Sequence, residues 1–563
     1  MRLPARYLVI AMAAAGALVA ALSVQADTWT LELKRRESQN PRMFDRASYV
    51  YWASSPQSFF VQTMSQGKVR LALPGNQEQE KAFSRIVKKQ PKYACAHPFR
   101  GVAKLGSQEF AFALDCVPTK AEAEEAKPEG KEGNPDGKKA KPAAKTAEPD
   151  SPSAKLKGAI AKAIAPSAAP MKPFSYNRLY FDFNHNGDLT DDKVIKAVDS
   201  GTTIPLTVSR SYFQFPRIDV TIDVAGTKLD YSFFLTGFGY SAPQFSYTNV
   251  MLNAAVCREG RITLAGKKHH VVLLDFNSNG RFDDESRISK KIHTASGALY
   301  AEPGDMLLVD PEGMETGSPY DVTGSTVRHN VSKMIKIDDR LYDITISPAG
   351  DKLTLAPSSA AMGSVTNPSD SFRAVIYGER GFLAIHGAKG APVPIPAGHW
   401  KVLSYTITQQ KRPAAATPAK AETVEKKKAS ADASAREQVA ALLKLLGATV
   451  TVRGETVIVD RSVAVIDGST AVVSASATDQ YRAVEVRKGK TVVLPFGPPY
   501  KPRVTIPPYR MGNGQAFLEM SLIGSTGEIC TNLTVDGRRP PRPEFTITDP
   551  KGEVVEEGNF DYG

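Results

Sequence analysis

The fold class follows from the stretch 218–235, which reads IDVTIDVAGTKLDYSFFL. Two runs in it, 218–224 and 229–235, are rich in the β-branched and aromatic residues that favour strands, and a turn separates them. Runs of the same kind recur along the chain, for example at 341–346. The sequence therefore predicts a mostly β, multidomain fold of antiparallel β-sandwich or barrel modules, with two disordered insertions and few helices.

The length of the chain requires several cores. At 563 residues the chain exceeds what a single hydrophobic core supports, so about three or four domains are expected. The predicted division is a signal peptide at 1–26, a β domain at 27–200, a second β domain at 201–350, a β-sandwich domain at 351–500, and C-terminal hairpins or a small sandwich at 501–563.

Two low-complexity tracts interrupt the strand pattern. Residues 119–172 and 409–433 are rich in Lys, Ala, Glu and Pro and nearly lack large apolar residues. Such tracts cannot bury enough surface to offset their ordering entropy, which predicts disorder. Each follows a predicted strand, at 110–114 and 400–407, which favours insertions at loop tips; an interdomain linker is the alternative.

One helix is predicted, at 435–446. Ser434 and Glu437 have the spacing of a capping box, and Gly447 follows the last helical residue. Four apolar residues then share one face, which predicts packing on a sheet, with a partner-binding helix as the alternative. These residues are Val439, Leu442, Leu443 and Leu446.

The N-terminus has the pattern of a secretory signal. Arg2 and Arg6 precede an apolar run at 7–22, and Ala26 ends a small-residue cleavage pattern, so the mature chain is expected to begin at Asp27. An uncleaved anchor is the alternative, although the run is short for a spanning helix. No later segment is apolar enough to cross a bilayer. The sequence predicts export, to the periplasm or to the extracellular side of the cell surface.

The charge of the chain bears on its partners. The formal net charge is +12, with a pI near 9.2, and much of the lysine lies in the low-complexity tracts. This charge serves solubility or attracts acidic polymers, such as an envelope polysaccharide of the wall or capsule. No nucleic-acid-binding module is recognisable, so no nucleic-acid partner is predicted. The oligomeric state stays open.

Cysteine usage agrees with export. The chain has four cysteines, and two of them, Cys95 and Cys116, flank a strand–turn–strand pattern. We predict a disulfide between them, which stabilises the fold by about 3 kcal/mol in the chain-entropy model. The pairing of Cys257 and Cys530 stays open. No Cys-x-x-Cys occurs, so neither a thioredoxin-like site nor a zinc knuckle is supported.

One unusual loop sequence occurs twice, as DFNHNGDLTDD at 182–192 and as DFNSNGRFDDE at 275–285. Each copy has oxygen-bearing side chains at positions 1, 3 and 5, a glycine at position 6 and acids at positions 10 and 11. This spacing suits a hard cation that collects oxygen ligands from one curled loop. The predicted metal-site residues are Asp182, Asn184, Asn186, Asp188, Asp191 and Asp192 in the first copy, and Asp275, Asn277, Asn279, Arg281, Asp284 and Glu285 in the second, with Asp188 and Arg281 contributing backbone carbonyls.

The two copies resemble the calcium loops of EF-hand-like modules, including those of dockerins and other secreted bacterial proteins. The resemblance implies calcium as the cofactor. Position 12, where an EF-hand has a bidentate glutamate, is Lys193 in one copy and Ser286 in the other. This departure predicts weak binding, with a Kd of about 0.1 to 1 mM. The alternative is a metal-free turn curled by its Asx side chains.

Two further resemblances concern a short turn and the chain as a whole. The turn at 395–398 before Trp400 resembles prealbumin-like and carboxypeptidase-regulatory-like sandwiches. The chain as a whole is similar to secreted bacterial β-sandwich proteins of uncharacterised function that carry Asp-x-Asn-x-Asn-Gly loops. The resemblance implies a calcium-steadied binding or structural protein of the cell envelope, with an unknown ligand.

Catalytic motifs are absent from the sequence. We find no nucleophile elbow, Walker loop, His-Glu-x-x-His or dinucleotide-binding glycines, and we name no catalytic residue. The alternative function is an envelope polysaccharide hydrolase whose site is not visible as a motif. Such a site would show clustered carboxylates with raised pKa away from the two loops.

Two other groups of residues were considered as sites. His269 and His270 are adjacent on a predicted strand, so they should point to opposite faces, one packed and one at the surface. An aromatic cluster is predicted to pack in the core, with a sugar-stacking platform as the alternative. Its members are Tyr231, Phe233, Phe234, Phe238, Tyr240, Phe245 and Tyr247.

Overall fold

A computed structural model confirms the mostly β, multidomain, antiparallel prediction. It describes residues 26–36, 56–66, 69–72, 74–95, 97–117, 176–203, 209–242, 245–289, 297–313, 327–410, 449–453, 470–505, 519–548 and 553–561. Most of the predicted signal peptide and insertions, and the whole predicted helix at 435–446, lie outside these residues. Within the described ranges, no helix combines the length and apolarity needed to cross a bilayer.

The strands up to residue 357 are numbered β1 to β22 in chain order. A single α-helix of the described residues, α1, spans Pro74–Ile86, and a 3-10 turn spans Pro311–Gly313. The strand bounds are Asp27–Thr30, Glu32–Arg35, Gln57–Gln66, Val69–Ala72, Phe99–Leu105, Gln108–Asp115, Arg178–Phe181, Ile195–Lys196, Asp199–Thr203, Ser209–Gln214, Ile218–Val224, Thr227–Ala242, Phe245–Ala254, Val256–Leu264, Lys267–Leu274, Arg287–Ile288, Ala301–Glu302, Met306–Val309, Arg328–Asn330, Met334–Ile337, Arg340–Ile346 and Lys352–Pro357.

These strands form four sheets and a two-stranded ribbon, β16–β17. A seven-stranded sheet has the order β4–β3–β13–β12–β10–β9, with β11 also paired to β12. A five-stranded sheet has the order β19–β18–β15–β14–β2, and two four-stranded sheets have the orders β1–β22–β21–β20 and β5–β6–β7–β8. Most pairs join consecutive strands, but β1–β22, β2–β14 and β3–β13 bring the first strands back to much later ones.

One hydrophobic core joins these four sheets. It extends in sequence from Leu31 to Leu355 and includes Phe112 and Val271, both fully buried. The predicted domains 27–200 and 201–350 both contribute to it. Strand β11 shows how the sequence builds it, since its alternate residues from Ile218 to Val224 are buried and the intervening ones are more exposed. Burying each large apolar side chain contributes about 1.5 to 3 kcal/mol.

A second core is built by the strands after residue 357, together with Met334 of β20. Val402 and Trp400 belong to it, and both are buried. Trp400 Nε1 donates a hydrogen bond to the carbonyl of Pro396 at 2.8 Å. The strands β23 to β36 are Met362–Thr366, Ser371–Gly378, Gly381–Ala388, Val393–Pro396, Gly398–Gln410, Thr449–Arg453, Thr470–Ser476, Val484–Val486, Thr491–Val493, Lys501–Thr505, Glu519–Ile523, Ile529–Val535, Glu544–Thr548 and Val554–Asn559.

These strands form an eight-stranded sheet and two three-stranded sheets. The eight-stranded sheet has the order β25–β24–β27–β29–β34–β33–β32, with β30 also paired to β27. The smaller sheets have the orders β26–β23–β31 and β28–β35–β36. Strands β35 and β36 pair antiparallel, as the predicted C-terminal hairpin requires, whereas β23 and β31 pair in parallel.

The cysteines differ in their state. Cys95 and Cys116 are joined by a disulfide, with their Cα atoms 5.1 Å apart. The buried Asp115 carboxylate accepts the Cys95 N–H at 2.7 Å and the Cys116 N–H at 2.9 Å, which fixes both ends of the link. Cys257 and Cys530 are free thiols, and burial raises the pKa of Cys257 to about 12.

Helix α1 is an element that the sequence analysis did not predict. Its sequence is largely polar, and few apolar residues mark its buried face. Pro74 occupies its first position, where a missing N–H costs nothing. Phe83 is fully buried against Ala111, Ala113 and Leu189. The helix therefore packs against the strand β6 and against the first repeated loop.

Candidate metal-binding loops

Both repeated loops begin where a buried strand ends. Loop 1, residues 182–192, follows β7 and leads to β8, and loop 2, residues 275–285, follows β15 and leads to β16. The last strand residues, Phe181 and Leu274, are buried in hydrophobic clusters. Each loop is therefore held on its entry side by a packed strand rather than by the helix of an EF-hand.

The two loops have the same backbone conformation at two diagnostic positions. Position 4 is left-handed in both, with φ of 59° at His185 and 59° at Ser278. The glycine at position 6 is also left-handed, with φ of 79° at Gly187 and 81° at Gly280. Because non-glycine residues rarely adopt such angles, the repeated sequence encodes a repeated backbone shape.

The aspartate at position 1 holds the glycine at position 6 in both loops. The Gly187 N–H donates to Asp182 Oδ2 at 3.1 Å, and the Gly280 N–H donates to Asp275 Oδ2 at 2.6 Å. Both aspartates are almost completely buried. The first carboxylate of each copy therefore lies inside the curl of the loop, as the predicted ligand set requires.

The asparagines at positions 3 and 5 brace the curl from within. The N–H of Asn186 donates to Asn184 Oδ1 at 3.0 Å, and the N–H of Asn279 donates to Asn277 Oδ1 at 3.2 Å. The N–H at position 7 then donates to the side-chain oxygen at position 5, at 2.6 Å in loop 1 and 2.8 Å in loop 2. These are successive Asx turns, in which each side-chain oxygen accepts the N–H two residues further on.

In both loops the acid at position 10 accepts a hydrogen bond from the asparagine at position 5. Asn186 Nδ2 donates to Asp191 Oδ2 at 2.6 Å, and Asn279 Nδ2 donates to Asp284 Oδ2 at 2.6 Å. In loop 2, Asn277 Nδ2 also donates to Asp284 Oδ2, at 2.9 Å. Hydrogen bonds therefore link position 3 to position 5 and position 5 to position 10 in each loop.

Position 11 behaves differently in the two loops. Asp192 Oδ2 accepts the N–H of Phe183 at 3.3 Å, whereas Glu285 is exposed. In loop 2 the corresponding N–H, that of Phe276, donates to Asp305 Oδ1 at 3.0 Å. Asp305 Oδ2 also accepts the N–H of Asp284 at 2.8 Å, so this carboxylate closes the loop.

The side chains at position 7 point to other partners, so only their backbone carbonyls fit the predicted ligand set. Asp188 forms a salt bridge with Lys89 at 2.8 Å, which lowers the pKa of Asp188 to about 2. The Arg281 guanidinium pairs with both oxygens of Asp283, at 3.0 and 2.7 Å. These ion pairs lie at the surface and contribute little to stability.

One oxygen distinguishes loop 1 from loop 2. Asp182 Oδ1 is buried and has no hydrogen-bond partner. Both oxygens of Asp275 have partners, since Oδ1 accepts the Asn279 N–H at 3.0 Å and Oδ2 accepts the Tyr231 hydroxyl at 2.7 Å. An unsatisfied buried acceptor costs about 1 to 3 kcal/mol, so Asp182 is the group that a bound cation would relieve most.

Crowded acids raise pKa values at both loops. Burial, with a smaller contribution from nearby Asp284, raises the pKa of Asp275 to about 7. Burial, together with Asp275 and Asp284, raises the pKa of Asp305 well above its usual range. At loop 1, burial and the neighbouring acids raise the pKa of Asp192. A divalent cation favours the charged form of each of these groups and would reverse these shifts.

Both loops are tied to distant parts of the first core. The N–H groups of Lys88 and Lys89, just after α1, donate to the carbonyl of Gly187 at 2.8 and 3.1 Å. In loop 2 the N–H of Gly106 donates to the carbonyl of Asn279 at 2.6 Å. Stiffening either loop therefore also stiffens a contact between segments far apart in sequence.

The two adjacent histidines have structural partners, with one packed and one nearer the surface. His269 is buried and its Nδ1 lies 2.9 Å from Asp310 Oδ2, while His270 is half-buried and its Nε2 lies 2.8 Å from Glu259 Oε1. Cys95, Asp115 and Cys116 lie close enough together for a metal site, but the two sulfurs are already joined to each other.

A hydrolase site would contain clustered carboxyl groups with raised pKa away from the two loops. Among the described residues, the carboxyl groups with raised pKa are Asp192, Asp275 and Asp305, and all three lie at the repeated loops. Among the described residues, the carboxyl groups with raised pKa therefore lie at the two loops and not at a separate site. Comparisons of the chain with family models, with curated proteins and with solved structures found no match.

Proposed function

We propose that this chain is an exported β-rich binding or structural protein of the cell envelope, which binds calcium weakly at two loops and is stabilised by it. The observation that carries the proposal is the buried, unpaired Asp182 Oδ1 inside a loop whose conformation occurs twice. Calcium is the cation that collects carboxylate, amide and backbone oxygens from such a loop.

The hydrogen bonds inside the loops are compatible with a bound cation. A carbonyl oxygen has two lone pairs, so an asparagine oxygen that accepts a loop N–H can also coordinate a metal. The residues that would hold calcium are those at positions 1, 3, 5 and 10 of each loop. They are Asp182, Asn184, Asn186 and Asp191 in loop 1, and Asp275, Asn277, Asn279 and Asp284 in loop 2.

A stabilising role fits better than a catalytic or sensing role. Position 12 supplies no glutamate in either loop, which supports weak binding. At about 1 mM calcium, a site with a Kd of about 0.1 to 1 mM adds about 0.4 to 1.4 kcal/mol to stability. The loops join packed strands to distant segments, so this energy acts on the first core.

Export is supported by the predicted signal at 1–26 and by the Cys95–Cys116 disulfide, since disulfides persist in oxidising compartments. The net charge of +12 supports attraction to an acidic envelope polymer. The proposal assigns the chain a role in binding or organising such a polymer, with calcium as a stabiliser rather than as a reactant.

The proposal is tested by calcium titration of the chain purified from residue 27 onward. Calorimetry should show weak binding, and the melting temperature should rise by a few degrees in millimolar calcium. Both effects should vanish in the variant Asp182→Ala/Asp275→Ala. The control is Asp223→Asn, which alters a turn acid that accepts the Gly226 N–H outside both loops. Equal responses of all three proteins, or no response in any, would reject calcium.

A further inference from the structure

The seven-stranded sheet has a second face, opposite to the core, that carries a row of aromatic side chains. Tyr212 of β10 pairs with Phe238 of β12, Phe238 pairs with Asn249 of β13, and Asn249 pairs with Phe60 of β3. Directly paired residues point to the same side of a sheet. These four side chains therefore cross the sheet as one continuous row.

The next row of the same face continues this pattern. Arg210 pairs with Tyr240, and Tyr240 pairs with Tyr247. The rings of Tyr240 and Tyr247 are stacked, with centroids 5.5 Å apart and planes 16° apart, and Phe238 meets Tyr247 edge-on at 5.8 Å. We call the five aromatic side chains of these two rows the aromatic face; they are Phe60, Tyr212, Phe238, Tyr240 and Tyr247.

The aromatic face is exposed to a degree unusual for this chain. Phe60, Tyr212 and Phe238 are 46%, 48% and 38% exposed. The aromatic residues next to them on the strands, Phe59 and Phe213, point to the core and are buried. Exposed aromatic clusters of this kind mark binding surfaces, because leaving such rings in water is unfavourable.

The predicted aromatic cluster is thus divided between two sides of the sheet. Phe234 is buried although alternation along β12 places it on the side of Phe238, whereas Tyr231 and Phe233 are buried on the core side, as core packing predicts. Phe238 is exposed, and Tyr240 and Tyr247 are half-buried on the opposite side, as a stacking platform requires. The side chain of Phe245 lies outside the described residues.

Polar groups interrupt the rings. Asn249 is only 7% exposed, and its Oδ1 has no hydrogen-bond partner although it lies between two aromatic neighbours in the row. The row beyond Tyr212 and Phe238 contains Gln214 and Thr236. Arg210 adds an exposed positive charge at one end of the face. Along β10 it lies about 13 Å from Gln214, which pairs with Asp199 of β9 at the other end.

We propose that the aromatic face binds an acidic polysaccharide chain. Rings with hydrogen-bonding groups beside them suit a sugar chain, whose rings stack on aromatic side chains while its hydroxyls pair with neighbouring polar side chains such as Gln214 and Thr236. Arg210 complements a sugar carboxylate, in keeping with the positive charge of the chain. This inference names the ligand class for the binding role proposed above and rests on that proposal.

A protein partner would favour a different surface. The centre of a protein interface is a continuous apolar patch from which charges are depleted. Here a polar side chain, Asn249, lies between Phe238 and Phe60, and a guanidinium lies beside Tyr240. A second copy of the chain on this face is therefore an outcome of the test rather than the occupant proposed.

The test is electrophoresis of the native chain through gels that contain polygalacturonate, with neutral hydroxyethylcellulose as the comparison. Polygalacturonate should retard the chain more than the neutral polymer does. The variant Tyr212→Ala/Phe238→Ala should bind about tenfold more weakly, the loss expected from removing stacking contacts. The matched control is Tyr300→Ala, which removes an aromatic side chain that is 47% exposed but lies elsewhere.

The charge is tested by Arg210→Gln. This variant should lose affinity for polygalacturonate at low salt, where exposed charges are least screened. It should keep the weaker affinity for the neutral polymer, which has no charge to pair with Arg210. Equal binding by the parent chain and the double aromatic variant would overturn the proposal. So would sedimentation showing that the parent chain is a dimer and that the double aromatic variant is a monomer without any polysaccharide binding by either.

The calcium proposal is separable in the same experiment. The variant Asp182→Ala/Asp275→Ala should keep the retardation at a temperature well below its melting point, since neither loop lies on the aromatic face. Loss of polysaccharide binding in the aromatic variant, with calcium heat unchanged, locates the ligand on the sheet. If the variant Asp182→Ala/Asp275→Ala loses the heat of calcium binding but still binds the polysaccharide, both the calcium loops and the aromatic face are supported.

Discussion

At the scale of single residues, the loops show how buried acids make stability depend on pH. Asp275 has its pKa raised to about 7 by burial. The folded chain therefore holds this proton more tightly than the unfolded chain does. The resulting stability is fully present below about pH 4, near the usual pKa of an aspartate, and is lost as the pH rises towards about 7.

We predict that, in the presence of a chelator, the melting temperature falls as the pH is raised from about 4 to about 7. Calcium favours the carboxylate, so millimolar calcium should flatten this fall. The measurement is thermal unfolding across that pH range with and without calcium. Asp275→Asn should remove much of the dependence. A pH profile that calcium leaves unchanged would contradict the proposed site.

The glycine at position 6 gives a second prediction at this scale. Gly280 is left-handed, and a Cβ there would lie 2.5 Å from Ile222 Cδ1 and 2.9 Å from the nitrogen of Gly106. We expect Gly280→Ala to destabilise the chain by about 2 to 3 kcal/mol, through both backbone strain and overpacking.

The control for this substitution is Gly266→Ala. Gly266 is also left-handed, with φ of 84°, but a Cβ there would meet nothing within 4 Å. Chemical denaturation should therefore show a loss of about 1 kcal/mol for the control, from the backbone alone. Equal losses for both variants would show that close packing under loop 2 is unimportant.

At the scale of elements, helix α1 and loop 1 depend on each other. Phe83 is fully buried in a small cluster that includes Leu189 of loop 1. The backbone bonds from Lys88 and Lys89 to Gly187 extend this contact. Loop 1 therefore has its shape set by its own Asx turns and its position set by the helix.

We predict that Phe83→Ala destabilises the first core by about 3 to 5 kcal/mol and weakens calcium binding at loop 1. The reason is that the cavity loosens the surface on which the loop rests. Leu383→Ala, in the second core, should cause a comparable loss of stability and leave calcium binding unchanged. Calorimetric titration below the melting point separates the two variants, and parallel effects on calcium would contradict the dependence.

The sequence predicts strands and loop shape well and tertiary partners poorly. The run 218–224 coincides with β11, because its alternation and its flanking turn are local signals. Asp305 could not be identified as the brace of loop 2, since it lies outside the motif and reaches it only through the fold. Helix α1 was missed because its polar sequence carries little periodic signal.

The exposure of the aromatic face was also not predictable from the sequence. Alternation along β12 assigns Phe238 and Tyr240 to the side opposite Gly237, but it cannot say which side the core will cover. That choice depends on which sheet packs against β12, and this is a property of the whole first core. Composition predicted strands here, whereas only the fold assigns the exposed rings.

At the scale of the whole molecule, the two cores should unfold separately. Phe112 lies in the first core and Val402 in the second, and each is fully buried. We predict two transitions in scanning calorimetry, because separate cores support separate cooperative units. Val402→Ala should lower the temperature of one transition by several degrees and leave the other in place. A single transition that moves as a unit would contradict this division.

The first described strand, β1, pairs with a strand far along the chain, β22. The hydroxyls of Thr28 in β1 and Thr354 in β22 meet at 2.8 Å, although they are 326 positions apart. If the chain is exported as proposed, its amino end would leave the export channel first, and β1 would stay unpaired until β22 followed. The slow step in maturation should therefore be this late closure, and a chaperone that shields open strand edges would be needed most at that time.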